Sequence, residues 1–180
     1  VSDMPNFFAG RMALVRLLAR AGNWTEAAEQ AYRVSQLSPE SLEAKLYYLR
    51  ARIYLLAMQP TPAAAEMWQQ IEKELASLEK ATSGAADVKL LQFQLAMQQK
   101  NLSRAQDLLA QLKKEPAAGQ NLTLPEAELL VAQKKTDEAI SILKQATKDS
   151  PNALEPVTYL AILLHRQNSR QECAAVMNAA

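Results

Sequence analysis

The sequence predicts an all-α protein, a solenoid of stacked antiparallel helical hairpins over residues 1–180, on three observations. Only 4 glycines and a 6% aromatic share, beside abundant Ala, Leu, Gln, Glu and Lys, favour helices over sheets. Apolar residues recur three or four apart through most of the chain, the spacing that puts them on one helix face. And one helical stretch with a starter, a stripe and a stop occurs again and again.

That stretch is clearest in KTDEAISILKQATKDSPN, Lys135 to Asn152. Thr136 and Asp137 are expected to cap a first turn, Ala139, Ile140, Leu143 and Ala146 form the stripe, and Asp149, Ser150 and Pro151 end it. Near the front, GNWTEAAEQAYRVSQLSPES repeats the design, with Asn23 and Thr25 at the turn, Ala27, Ala31 and Val34 inside, and Pro39 as the stop. Rougher copies start at Pro60 (PTPAAAEMWQQIEKEL), Asn101 (NLSRAQDLLAQLKKEP) and Asn168 (NSRQECAAVMNAA). Before each lies another amphipathic segment: Phe8 to Ala21, Leu42 to Ala57, Asp87 to Lys100, Leu122 to Lys134 and Ala153 to Gln167. The unit is helix, tight turn, helix, and the units fall at about 8–41, 42–80, 85–116, 121–152 and 153–180 in one domain. Ala105, Ala139 and Cys173 stand 34 residues apart, as do Pro5 and Pro39.

In this period and in these residues the chain resembles the tetratricopeptide repeat (TPR) family, whose unit is a 34-residue helical hairpin. Ala27, Ala105 and Ala139 match the small residue that opens the family's second helix, where two helices cross closely, and Pro39 and Pro151 match its closing proline. There are departures: Arg11 stands where the first helix usually carries a bulky aromatic, extra residues surround AMQPTP, and the links KATSGAAD and KEPAAGQNLTLP are long. DMPN reads as the tail of a preceding unit and no polar capping helix closes the chain, so the sequence is expected to be an excerpt of a longer array.

A lone hairpin cannot bury its apolar face, and stacking on neighbours does. Core candidates are Leu14, Leu18, Trp24, Leu49, Ile53, Trp68, Ile71, Leu109, Leu112, Leu143 and Leu160. The resemblance implies a right-handed superhelix with a concave groove lined by first helices, in which a peptide or partner protein binds. Carried over, the groove candidates are Met12, Arg16 and Arg20, then Lys45, Tyr48 and Arg52, then Gln94 and Gln98, Glu128, and finally Thr158 and His165. With guanidinium forks at Arg16 and Arg52, the N-terminal half of that groove is expected to attract an acidic partner or a C-terminal carboxylate. Against this stands the plain reading, in which such cations are solvated with packed stems. The family's carboxylate clamp is not expected, since these arginines stand off its pattern.

Other chemistry finds little support. The chain has 20 basic against 19 acidic residues, without the basic face that duplex nucleic acid requires. Its longest apolar stretch, VTYLAILL, falls far short of the roughly 20 residues of a membrane span. His165 and Cys173 are single residues of their kinds, too few for a metal site, and their separation on two helices argues against a nucleophilic pair. ATSGAAD lacks the Gly-Lys-Ser/Thr of a phosphate cradle, and Glu126 and Glu128, two apart on a helix, do not face each other. The triplets at Asn23, Asn101 and Asn121 fit glycan acceptors in form but read as turn chemistry. One cysteine gives no vote on redox compartment, and localisation is not legible.

The expected function is a non-enzymatic scaffold without cofactor that binds a protein or peptide. The alternatives are a recruiting or spacer module of a larger enzyme or cell-envelope assembly protein, and a self-association module. The last predicts a homodimer through terminal helices that is lost when Val157, Leu160 or Leu164 is made polar.

Overall fold

Helical periodicity and alanine-rich composition translate directly into backbone. The computed structural model describes residues 7–58, 63–114, 121–150 and 153–178, and these form ten α-helices without a strand. In order they are α1 (Phe7–Arg20), α2 (Trp24–Leu37), α3 (Leu42–Met58), α4 (Ala64–Ala81) and α5 (Ala86–Gln98), then α6 (Leu102–Lys114), α7 (Thr123–Ala132), α8 (Thr136–Asp149), α9 (Leu154–Arg166) and α10 (Arg170–Asn178). The expected features at Pro5, Pro60, Pro62, Pro116 and Pro151 lie outside the described residues.

The turns carry the repeat in their backbone. Lys100, Lys134 and Asn168 adopt left-handed φ values of 57°, 65° and 58°, and their numbers place them 34 residues apart. Gly22, with φ of 73°, does the same after α1. Behind Lys134 the chain closes as a Schellman turn: Lys134 N–H donates to the Val131 carbonyl at 3.0 Å and Lys135 N–H to Leu130 at 2.8 Å. Asn168 and Ser169 repeat both bonds on His165 and Leu164 at 3.0 Å, and Gly22 and Asn23 on Ala19 and Leu18. Asn side chains then start the next helices. Asn23 Oδ1 accepts from Glu26 N–H at 3.4 Å, and Asn101 Oδ1 from Arg104 N–H at 3.2 Å. Thr136 and Asp137 do not cap α8, whose N-cap is Lys135 without a side-chain bond; Asp137 instead accepts from Gln167 Nε2 at 2.9 Å.

Two kinds of helix alternate. In α2 and α8 a single stripe is buried (Ala27, Ala31, Val34; Ala139, Ile140, Leu143), and the other faces are solvated. In α3 the buried residues fall in two bands on opposite sides of the axis, Ala44 and Ala51 on one and Leu46, Leu49, Ile53 and Leu56 on the other, as expected of a helix packed between neighbours. Ala27, Ala105 and Ala139 are indeed buried at helix starts.

The chain divides into two compact units, Val1–Gln98 and Gln99–Ala180. In the first, α2 packs on α1 and α3, and α3 also meets α1, α4 and α5. Its main core joins Leu49, Ile53, Ile71, Leu75, Leu91 and Leu95, with Trp68 and Leu78 partly buried against it. A smaller cluster of Met12, Val34 and Ala44 holds α1 on α2 and α3. In the second unit, α7 packs on α6, α8 and α9, and α9 on α8 and α10, around Ala127, Ile140, Leu143, Leu160, Leu163 and Leu164.

Two expectations are corrected here. Leu14 is 40% exposed, while Met12 on the other side of α1 is 1% exposed and belongs to the core. Val157, Leu160 and Leu164 are buried within the second unit, so they offer no docking face; the large apolar residues exposed on α9 and α10 are Leu154, Ile162 and Met177.

Candidate partner-binding cleft

The polar residues of α3 fall in two strips. Glu43, Tyr47 and Arg50 follow one line of the helix and Lys45, Tyr48 and Arg52 another; at 100° per residue the mean directions of the two triads fall on opposite sides of the axis. The first strip faces α1 and the start of α5. Arg16 reaches it with Nη2 and Nε, 2.6 and 3.0 Å from Glu43 Oε1, and that carboxylate raises the guanidinium pKa further. Arg50 lies 5.5 Å over the Tyr47 ring, and with Leu42, Leu46 and Asp87 these residues line a shallow hollow of about 490 Å³.

The second strip floors a larger cleft of about 750 Å³, open to solvent, whose walls are α2 and α4. From α2 come Tyr32, Ser35 and Gln36; from α3, Lys45, Tyr48, Leu49 and Arg52; from α4, Met67, Gln70, Glu74, Ser77 and Leu78. Tyr32 and Tyr48 meet at 5.3 Å between ring centres, tilted by 45°, and the Arg52 guanidinium lies 5.4 Å over the Tyr48 ring. Glu74 Oε1 accepts from Arg52 Nη1 at 2.8 Å. Outside the cleft, Trp24 stacks on Tyr54 at 4.3 Å and ties α2 to α3. The cleft thus combines the Tyr32–Tyr48 aromatic pair, apolar contributions from Leu49, Met67 and Leu78, and convergent polar and charged groups, the mixture of a binding site.

Of the groove candidates in the first unit, the structure brings Lys45, Tyr48 and Arg52 together and separates them from Arg16. Met12 is corrected: buried between α1 and its neighbours, it presents no side chain to a ligand. Arg20 is exposed at the end of α1, and Gln98 at the end of α5. Gln94 is half-buried, its side-chain oxygen without a hydrogen-bond partner among the described residues. Tyr32, Gln36, Met67, Gln70 and Glu74 were missed because they sit on α2 and α4, where the family resemblance implied no groove residues. Their signal was present, since Tyr32 and Gln36 fall off the Ala27, Ala31, Val34 stripe of α2.

In the second unit Glu128 keeps solvent contact, yet its surroundings desolvate the carboxyl enough to push its pKa above the ordinary carboxylate range. Desolvation also raises the Tyr159 hydroxyl, and the Glu128 charge adds to that, with Arg166 opposing. The two groups therefore feel each other between α7 and α9. Thr158, His165 and Cys173 line one small hollow with Ile162 and Met177. The thiol of Cys173 donates to the Ala161 carbonyl at 3.5 Å, as a packed thiol does. Among the described residues no group of three or more His, Cys, Asp or Glu converges as metal ligands, and no helix is long and apolar enough to cross a membrane.

No protein-family model, curated protein or solved structure matches the chain.

Proposed function

We propose that the ten helices are five tetratricopeptide-like hairpins of a solenoid-type scaffold, and that the chain binds a peptide segment of a partner protein without catalysis of its own. The hairpin reading is supported by the left-handed turn residues spaced 34 apart, by the buried alanines that open second helices, and by the packing of α1 on α3 and of α7 on α9. The observation that carries the binding reading is the cleft among α2, α3 and α4, where aromatic, amide and charged groups converge around Leu49, Met67 and Leu78. Relative to the first-helix groove that the family resemblance implies, this site lies on the opposite side of α3.

Site-specific photo-crosslinking tests it. A photoreactive residue placed at Tyr32 in the full chain, expressed in its native host, should yield a discrete protein adduct, and one placed at Tyr47 should not. Adducts from Tyr47 alone would move the site to the first-helix face, and none from either position would remove the binding function assigned to this unit.

A further inference from the structure

We propose that the cleft selects an extended peptide carrying an Asp or Glu side chain for Lys45 beside an apolar or aromatic side chain for the Tyr32–Tyr48 wall. This rests on the cleft being the binding site.

Arg52 is already committed, bonded to Glu74 at 2.8 Å and stacked over Tyr48, so that pair brings no net charge to a ligand. Lys45 lines the same cleft and, among the described residues, makes no ion pair. The cleft therefore carries one uncompensated positive charge, which a ligand carboxylate balances. A single ammonium on a flexible stem suits a side-chain carboxylate; a chain-terminal carboxylate is better held by a free fork, and the fork here is occupied.

In the same cleft, Tyr32 is 48% exposed and forms an angled aromatic surface with Tyr48, while Met67 contributes to the lining from α4. Exposed aromatic area of this kind offers most of its burial energy to a partner. The amides of Gln36 and Gln70 stand on opposing walls, and among the described residues neither makes a side-chain hydrogen bond. They suit a ligand with unsatisfied backbone N–H and C=O groups, which an extended segment has and a helix lacks.

The test uses the full chain and fluorescein-labelled heptapeptide pools, blocked at both ends, with a fixed Leu or Tyr two residues from a fixed Glu; a matched pool carries Lys in place of Glu. Fluorescence anisotropy should show the Glu pool binding at least tenfold more tightly than the Lys pool. Lys45→Glu should abolish or reverse that preference, Tyr48→Ala should weaken both pools, and circular dichroism should confirm that each variant is folded. Equal binding of the two pools, or a preference unmoved by Lys45→Glu, overturns the carboxylate assignment while leaving the cleft as a binding site. Tighter binding by a pool with a free C-terminus and no Glu overturns the choice of carboxylate source. Failure of every pool to bind overturns both the specificity and the cleft.

Discussion

Lys134→Gly should make the protein more stable, although it removes a side chain and adds a flexible residue to a helix end. Lys134 holds φ at 65°, where a Cβ crowds the backbone at a cost of about 1–2 kcal/mol. Glycine escapes that cost but gives the unfolded chain extra freedom, a loss of about 0.4–1 kcal/mol. The lysine side chain is exposed and the turn's two backbone bonds do not depend on it, so nothing else changes. The net gain is about 0.5–1 kcal/mol. Urea unfolding followed by circular dichroism should show a higher midpoint at an unchanged slope. Lys134→Ala, which keeps the Cβ, should show no gain. Gly22→Ala is the mirror experiment: φ is 73° and a Cβ there would meet nothing within 4 Å, so its loss of similar size is backbone strain alone. If Lys134→Gly were no more stable than Lys134→Ala, the left-handed turn would not be a strained feature and the reasoning would fail.

Asn168→Gly should gain less than Lys134→Gly by the same measurement, because Asn tolerates the left-handed region better than Lys does. Met12→Ala should cost about 2–5 kcal/mol in urea unfolding, whereas Leu14→Ala, at a 40% exposed position two residues away, should stay within roughly 0.5 kcal/mol. A double-mutant cycle on Arg52 and Glu74 should return a coupling of about 1 kcal/mol, reflecting a partly buried pair stacked on Tyr48; zero coupling would show the bridge to be solvated away. Glu128→Gln should raise the thermal midpoint at neutral pH. Because the folded state raises the carboxyl's pKa, the wild-type side chain favours folding while protonated and loses that contribution as pH climbs through the raised value. The advantage of Gln should therefore shrink on acidification and vanish below the ordinary carboxylate range.

Helix positions and turns were legible because they are local. A small residue, a capping Asn and a stripe at three-four spacing specify where a helix starts and which side it buries without reference to the rest of the chain. Orientation of α1 and α3 was not legible, and α1 shows why. Leu14 and Leu18 obey helical spacing, but so do Phe8, Met12 and Val15, and two apolar stripes on one helix tie. Contact with Val34 and Ala44 decides for Met12, and those residues belong to two other helices. α3 presents the same ambiguity in stronger form, since it buries side chains on two opposite sides of its axis. A rule that first helices face the groove placed Arg16 and Arg52 on one wall, yet the first reaches one side of α3 and the second lies on the other.

The charges add a further reason that the site was only half visible. In a nearly neutral chain, what a ligand feels depends on which cations are already compensated, and compensation here acts between helices. Glu43 answers Arg16 from 27 residues away, Glu74 answers Arg52 from 22, and Glu172 answers Lys144 from 28. The resemblance-based expectation of an acidic partner picked the two arginines, whose forks look best suited to a carboxylate. Both are taken, and for the same reason: a well-placed fork attracts the protein's own acids first. The residual charge of the cleft falls on Lys45, the cation with the less specific geometry, and it becomes visible only after the interhelical pairs have been subtracted. Should Lys45 prove to hold a ligand carboxylate, anion sites in helical proteins of balanced charge would be better sought among the cations that folding leaves over than among those with the strongest intrinsic affinity.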